Sequence, residues 1–259
     1  MKLFKIERSF YHYTVYFFGI RIRFSNYTLP ITVYLFDDNS IEQITSRKKL
    51  PKHLAISVDS SLEQKRPDGT TDGKTNILKI HKNFKPRGVH IAYTFGCTNS
   101  LCVFEDSTTS SGIAADIIMM SGDKNELKIG KGTGMNGTKI VLGNGSKCFI
   151  GKDCMFSYDI VIRTTDGHVI LDKKSHKILN KQKNPCTIGD HCWIGLRTII
   201  NKNAIIPDNT IVGSGSVIAS HFDEQYTVIA GNPCKVIKQG VTFDGNTIYK
   251  YKKDHPHAK

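Results

Sequence analysis

The sequence predicts an all-β protein wound as a parallel β-helix, and three observations carry that reading. Residues 188 to 218 divide into sixes, "IGDHCW", "IGLRTI", "INKNAI", "IPDNTI" and "VGSGSV", followed by Ile218. Each hexad opens on a branched aliphatic: Ile188, Ile194, Ile200, Ile206 and Val212. Each carries a small residue in fifth place: Cys192, Thr198, Ala204, Thr210 and Ser216. An amphipathic helix needs apolar residues every three or four positions, and a half-buried strand needs them every two. A strict six fits neither.

A six-step ladder does fit a helix of short flat strands joined by tight turns. Each hexad supplies one face, three hexads close a coil, and the aliphatics stack inward as a continuous core. The small residue belongs where the chain bends and a bulky side chain would collide. The same phase appears upstream at Ile150, Phe156 and Ile162. It becomes ragged between 86 and 149, where "LKIGKG" and "IVLGNG" read as imperfect coils. Seven cysteines with no CxxC pair suit neither a disulfide framework nor a zinc ribbon. Cys148, Cys154, Cys186 and Cys192 fall on the small-residue phase, which makes them packing residues rather than ligands.

The organisation that follows is a β-helix over 86–220, a small β-rich N-terminal region over 1–85, and a C-terminal segment with tail over 221–259. In the first region "YHYTVYFFGIRIRF" predicts a hairpin around Gly19, "NYTLPITVYLF" a further strand, and 60–74 a turn-rich loop. The tail "VTFDGNTIYKYKKDHPHAK" predicts an Asp-Gly hairpin and then a frayed basic end.

The six-residue phase stops at Ile162 and resumes at Ile188. A protruding loop over 163–187 is unusually long for a connection unless it serves a function. It holds Arg163, Lys173, Lys174, Lys177, Lys181 and Lys183 against Asp166 and Asp172, together with His168 and His176. It is a basic arm on a regular scaffold.

Charge and composition narrow the partners. A net charge of +13 concentrates anions at the surface. The chain nevertheless has no helix-turn-helix, zinc-finger or aromatic RNA-binding motif and no long basic run, so a nucleic acid is not the expected partner. Glu7 and Arg8 interrupt the apolar run a signal peptide needs, and "YTVYFFGI" is too short to span a bilayer. The expected location is therefore cytoplasmic, with the aromatic, basic "FFGIRIRF" as a place for peripheral contact with the inner face of a membrane.

Four motifs in order, "TTDGHVILD", "IGDHCWIG", "VGSGSVI" and "IAGNPCKVIK", resemble those of the hexapeptide-repeat acyltransferases with a left-handed β-helix. The likeness is nearest to the enzymes that O-acetylate bacterial surface sugars, capsule and sialic-acid polymers among them, and it covers residues 126 to 240. Hexads alone are shared with nucleotidyltransferases and γ-type carbonic anhydrases, so the ordered set carries the specificity. The resemblance implies acetyl-coenzyme A as co-substrate, no metal, and a homotrimer in which the loop of one subunit meets the helix flank of the next. It makes His168 the catalytic base and places Trp193, the single tryptophan, at the site. It assigns backbone amides of Leu196 and Ser214 to the cofactor, and Lys235 and Lys238 to its phosphates. Two departures stand out: Ser220 where relatives often carry a lysine, and Pro207 in place of a glycine.

The chemistry those residues imply is direct acetyl transfer to a sugar hydroxyl without an acyl-enzyme. Neutral histidine suits the base role because its ordinary pKa lies near working pH. Asp166, two residues before it, either orients the imidazole or only shapes the Asp-Gly turn. The residues do not name the oxyanion donor. His176, with no motif around it, is expected to be a bystander, and His191, in "GDHCW", to point outward from a turn at the surface. Trp193 offers a broad stacking surface where a flat aliphatic would serve the fold alone. The acceptor implied by the basic arm is an anionic or surface glycan. The alternatives are an amino-sugar N-acetyltransferase, a γ-type metal hydratase that would need three convergent histidines, and a non-catalytic scaffold or glycan-binding β-helix.

Overall fold

The computed structural model describes residues 4–9, 12–17, 20–25, 28–58, 75–94, 96–120 and 122–258, with side chains from Ile31 onward. Three parallel ladders run through it. The first face stacks Thr28–Phe36, Ile77–His81, Leu101–Phe104, Glu126–Ile129, Lys147–Ile150, Cys186–Ile188 and Ile205–Ile206. The second stacks Met155–Phe156, Trp193–Ile194, Ile211–Val212 and Thr227–Ala230. The third stacks Leu54–Val58, Pro86–Tyr93, Ile113–Met119, Gly134–Leu142, Ile160–Arg163, Ile199–Asn201 and Val217–Ile218. Gly134–Leu142 is long enough to serve both of the last two faces, with 134–135 pairing Met155–Phe156 and 138–141 pairing Ile160–Arg163.

Register explains the six-step sequence. Ile188 pairs with Ile206, Ile194 with Val212 and Ile200 with Ile218, so each coil takes eighteen residues. The opening aliphatics are buried from Ile150 to Ile229. The fifth-place residues are buried with them, and their chemistry is specific: Thr198 Oγ1 donates to Gly195 O at 2.8 Å and Ser216 Oγ to Gly213 O at 2.6 Å. A small hydroxyl inside the bend thus satisfies a carbonyl that the turn would otherwise orphan. The corners repeat too. His191, Arg197, Asn203, Asn209 and Gly215, six apart, all have positive φ between 52° and 72°. That conformation favours Gly and Asn, which accounts for their recurrence.

The glycine after the aliphatic has a different cause. At Gly189 an added Cβ would lie 2.3 Å from Asp208 Oδ1 and 2.5 Å from Asp208 N of the next coil. The coils are that close because aspartates bridge them: Asp190 Oδ1 accepts from Lys152 N–H at 2.8 Å and Asp208 Oδ1 from Asp190 N–H at 2.7 Å. All seven cysteines are buried free thiols, and Cys148 stacks on Cys186 one coil away.

Elsewhere the structure departs from the expected boundaries. Parallel pairing continues on the N-terminal side of residue 86: Thr32 pairs with Ile77 and Leu54 with Val89. Residues 28–58 thus share the sheets of the helix, closed at one edge by antiparallel Ile41–Ser46. Phe4–Ser9, His12–Phe17 and Ile20–Ser25 form a separate antiparallel sheet. The expected hairpin pairs as read, while Gly19 and the 60–74 loop lie outside the described residues. The expected Asp-Gly hairpin in the tail does not form. Asp244 Oδ1 instead takes the Asn246 N–H at 2.7 Å, and Thr247 caps a helix, Ile248–Asp254. An Asx turn followed by a Thr cap starts a helix where a type I′ turn would have started a hairpin.

Candidate active site

The loop leaves the third face after Arg163. Cys148 pairs with Cys186 and Ile162 with Ile200, thirty-eight residues on, so this coil carries an insertion of twenty. Its root is fixed by buried Thr164 and Thr165: Thr164 N–H donates to Val141 O at 3.0 Å, and Thr165 Oγ1 accepts from Gly167 N–H at 3.1 Å. Gly167, at φ +78°, turns the chain outward. The arm then doubles back, with Leu171 bridged to Ile178 and Leu179 N–H on Ile170 O at 2.8 Å. Asp172 ties the tip by accepting from Ser175 N–H at 2.7 Å.

Asn180 staples the arm. Its Oδ1 accepts from Ile170 N–H at 2.9 Å, and its Nδ2 donates to Asp166 Oδ2 at 2.7 Å and His168 O at 2.8 Å. Lys202, from the next coil, donates to Asp166 Oδ2 and, at 2.9 Å, to Asn180 O. Asn203 receives the returning backbone at Lys183 N–H, 2.7 Å away. The segment around His168 is therefore pinned at several points although it is exposed.

These contacts frame a cleft of about 490 Å³ whose walls include Thr165, His168, Asn180, Lys181 and Lys202. The His168 ring makes no hydrogen bond among the described residues, so both its nitrogens are open to a ligand. Asp166 does not orient that ring. Lys202, with Asn180 adding to it, takes the carboxylate and holds it below the usual range. The aspartate positions the arm rather than the imidazole. His176 sits at the arm tip, outside the cleft walls.

Trp193 lies on the second face, between Met155 and Ile211, and is 40% exposed. Leu196 and Ser214 occupy the same turn one coil apart, at the corner between second and third faces, where Gly215 N–H donates to Leu196 O at 2.8 Å. Among the described residues neither the Leu196 nor the Ser214 N–H has an acceptor. An unpaired backbone donor calls for water or a ligand, and two in line along an exposed corner suit a ligand rich in acceptors. Lys235 and Lys238 lie on the exposed strand Lys235–Gln239, antiparallel to Thr227–Ala230 on the second face. Donors and cations together fit a phosphorylated cofactor. The structure thus brings Trp193, Leu196, Ser214, Lys235 and Lys238 to one flank. It does not bring His168 there, because the arm springs from the junction of the third and first faces.

Sequence reasoning missed four residues here. Asn180 and Lys202 hold the arm. His191, expected at the surface, is partly buried: its Nδ1 lies 3.1 Å from Asn209 Oδ1, and its ring stacks on Phe243 with centroids 4.2 Å apart. Phe243 also lies 5.9 Å from Trp193. Only the tail's path along the flank reveals either contact. Among the described residues no group of three candidate side chains could hold a metal, and no helix is long and apolar enough to cross a membrane.

No family model matches the chain. Curated relatives do. It is 35% identical over 130 residues to the polysialic acid O-acetyltransferase of Neisseria meningitidis, covering 50% of this chain and 60% of that one. It is 29% identical over 132 residues to the polysialic acid O-acetyltransferase of Escherichia coli O1:K1 / APEC, covering 51% and 42%. The chain spans about half the length of the curated relatives it matches. Among solved structures, the polysialic acid O-acetyltransferase OatWY superposes with a TM-score of 0.61 at 26% identity, over 80% of this chain and 96% of that one. The fold is the left-handed parallel β-helix, and the resemblance read from the four motifs to hexapeptide-repeat acetyltransferases is borne out.

Proposed function

We propose that the protein transfers an acetyl group from acetyl-coenzyme A to a hydroxyl of an anionic bacterial surface glycan, a sialic-acid polymer being the first candidate. The observation that carries this reading is the pairing of two built features. One is a pinned, lysine-bordered cleft with an open imidazole at His168. The other is a flank carrying Leu196 and Ser214 amides that have no acceptor among the described residues, with Lys235 and Lys238 on its edge strand. The likeness to two polysialic acid O-acetyltransferases supports the acceptor class.

The coenzyme, when bound, supplies an activated acyl thioester. Leu196 and Ser214 would hold it by backbone N–H, Lys235 and Lys238 would neutralise its phosphates, and Trp193 would give the acceptor or the pantetheine arm an apolar wall. His168 takes the proton from the acceptor hydroxyl as that oxygen attacks the thioester carbonyl, and passes it to the departing coenzyme A thiolate as the carbon–sulfur bond breaks. The cysteines take no part, since their thiols are buried. Lys181, at the cleft, suits an acceptor bearing carboxylates, while Lys202 is already held by Asp166.

Because His168 and the flank lie apart within one chain, the complete site forms between two copies. A homotrimer places the arm of one against the flank of the next. The location that goes with this chemistry is the cytoplasm. The test is thiol release from acetyl-coenzyme A in the presence of polysialic acid, with the polymer then checked for added acetyl groups. The expected result is acceptor-dependent release and a raised melting temperature with coenzyme. Neither effect at millimolar coenzyme would sink the proposal.

A further inference from the structure

On the outer side of the third face, away from the arm, three side chains form a connected relay. His90 Nε2 lies 2.8 Å from Ser57 Oγ, and His90 Nδ1 lies 3.1 Å from Asp116 Oδ1. They come from three successive coils. His90 stands directly opposite Asp116, while Ser57 sits opposite Ala92, two residues along the strand from His90, so the ring leans diagonally to reach it. With Nδ1 protonated, the ring donates to the carboxylate and leaves Nε2 to accept from the hydroxyl. That order of hydroxyl, imidazole and carboxylate is the one that activates a serine nucleophile, and it is recognised by geometry and not by chain order.

Two members of the relay border a groove, and Ser57 lies outside its walls. His90 and Asp116 line an open depression of about 580 Å³ together with Gly88, Ala114, Gly137 and Lys139. Its floor is low: a Cβ added at Gly88 or Gly137 would meet nothing within 4 Å. The strands bulge beside it, with register shifts at Ile113/Ala114 and Ala114/Ala115. Lys139, opposite Asp116 in the next coil, puts a cation on the groove. Ser57 is buried, at 6% exposed, so any ester that reaches its hydroxyl must carry a small acyl group.

We propose that Ser57, His90 and Asp116 form a second, hydrolytic site that cleaves short-chain carboxylic esters. Ser57 Oγ bonds to the ester carbonyl carbon as its proton passes to His90 Nε2. The carbon–oxygen bond to the alcohol breaks, and His90 returns the proton to the departing alkoxide. Water, deprotonated by His90, then adds to the acyl-serine and releases the carboxylic acid and free Ser57. This site is independent of the acetyl-transfer reading, and either can fail without the other.

The test uses the purified full chain with a fluorophosphonate probe and with p-nitrophenyl acetate. The expected results are covalent labelling of one residue, mapped by peptide mass to Ser57, and hydrolysis that falls at least about 100-fold in S57A and in D116N. Asp116 is half exposed, so D116N keeps its fold and reports on the relay even if S57A does not. Ester chains longer than butyryl should be poor substrates. No labelling at Ser57, or hydrolysis unchanged in D116N, would reduce the relay to a hydrogen-bonded ladder and overturn the proposal.

Discussion

At His168 the chemistry and the scaffolding separate cleanly, because the ring has no hydrogen bond among the described residues while the backbone around it has several. H168A should therefore lower the rate of acetyl transfer by about 10²- to 10⁴-fold while leaving the melting temperature unchanged. Comparable loss of stability and activity would make the ring structural. Asp166 should behave in the opposite way. Its carboxyl is held below the ordinary range by Lys202, so the folded value lies under the unfolded value of about 3.9. Its contribution is then fully present above that value and is lost as pH falls through the lower, folded one. The protection factor of the Ile170 amide, which depends on the Asn180 staple, should stay constant from pH 8 to about 5 and drop only below about pH 4. A drop between pH 7 and 5 would implicate a histidine instead. The sequence shows His168 through its Asp-Gly context. It hides Lys202, which occupies an ordinary place in "INKNAI" and gains its meaning only because the arm folds back over it.

The hexad is legible at the scale of one turn because four of its positions each have a separate physical cause. The aliphatic faces in, the small residue satisfies a bend, and the fourth residue adopts a left-handed corner. The glycine lies under the coil above. G189A tests the last of these. Its Cβ would press on backbone atoms of Asp208 and Pro207, which cannot swing away as a side-chain end can. The expected cost is about 1–3 kcal/mol, which calorimetry reads as a fall of several degrees in melting temperature. G245A, where an added Cβ meets nothing within 4 Å, is the control and should be neutral. Equal behaviour of the two would mean that the coils can part. The elements that escaped the sequence are those without this chain of causes. Ile31, Val33, Leu54 and Ile56 are as buried as the later ladder. Their coil is completed by strands of irregular length and closed by an antiparallel neighbour, so no six-residue beat survives to be read. The tail misled for a local reason, as Asp244 spends its side chain on its own turn.

For the molecule as a whole, the decisive fact is that one chain holds the proposed base and the proposed cofactor groups on different faces. The arm also exposes Val169, Ile170, Leu171, Ile178 and Leu179, an apolar surface that an isolated chain would leave in water. The proposed threefold assembly would answer both, since packing the arm of one copy against the flank of its neighbour would cover the apolar side chains and complete three equivalent sites. This arrangement makes a prediction that a self-contained subunit cannot meet. In H168A every arm is defective and every flank intact, and in W193A the reverse holds. Each variant alone should be nearly inactive. If the two are mixed, unfolded and reassembled in equal amounts, a site is intact only where a W193A arm meets an H168A flank. Random assembly gives that pairing at about one site in four, so about a quarter of wild-type transfer should return. Recovery should need exchange of subunits and be absent on simple mixing of folded stocks. If reassembled mixtures stay as inactive as either variant, arm and flank do not meet across an interface, and the shared site must be abandoned even if the chain proves to be an acetyltransferase.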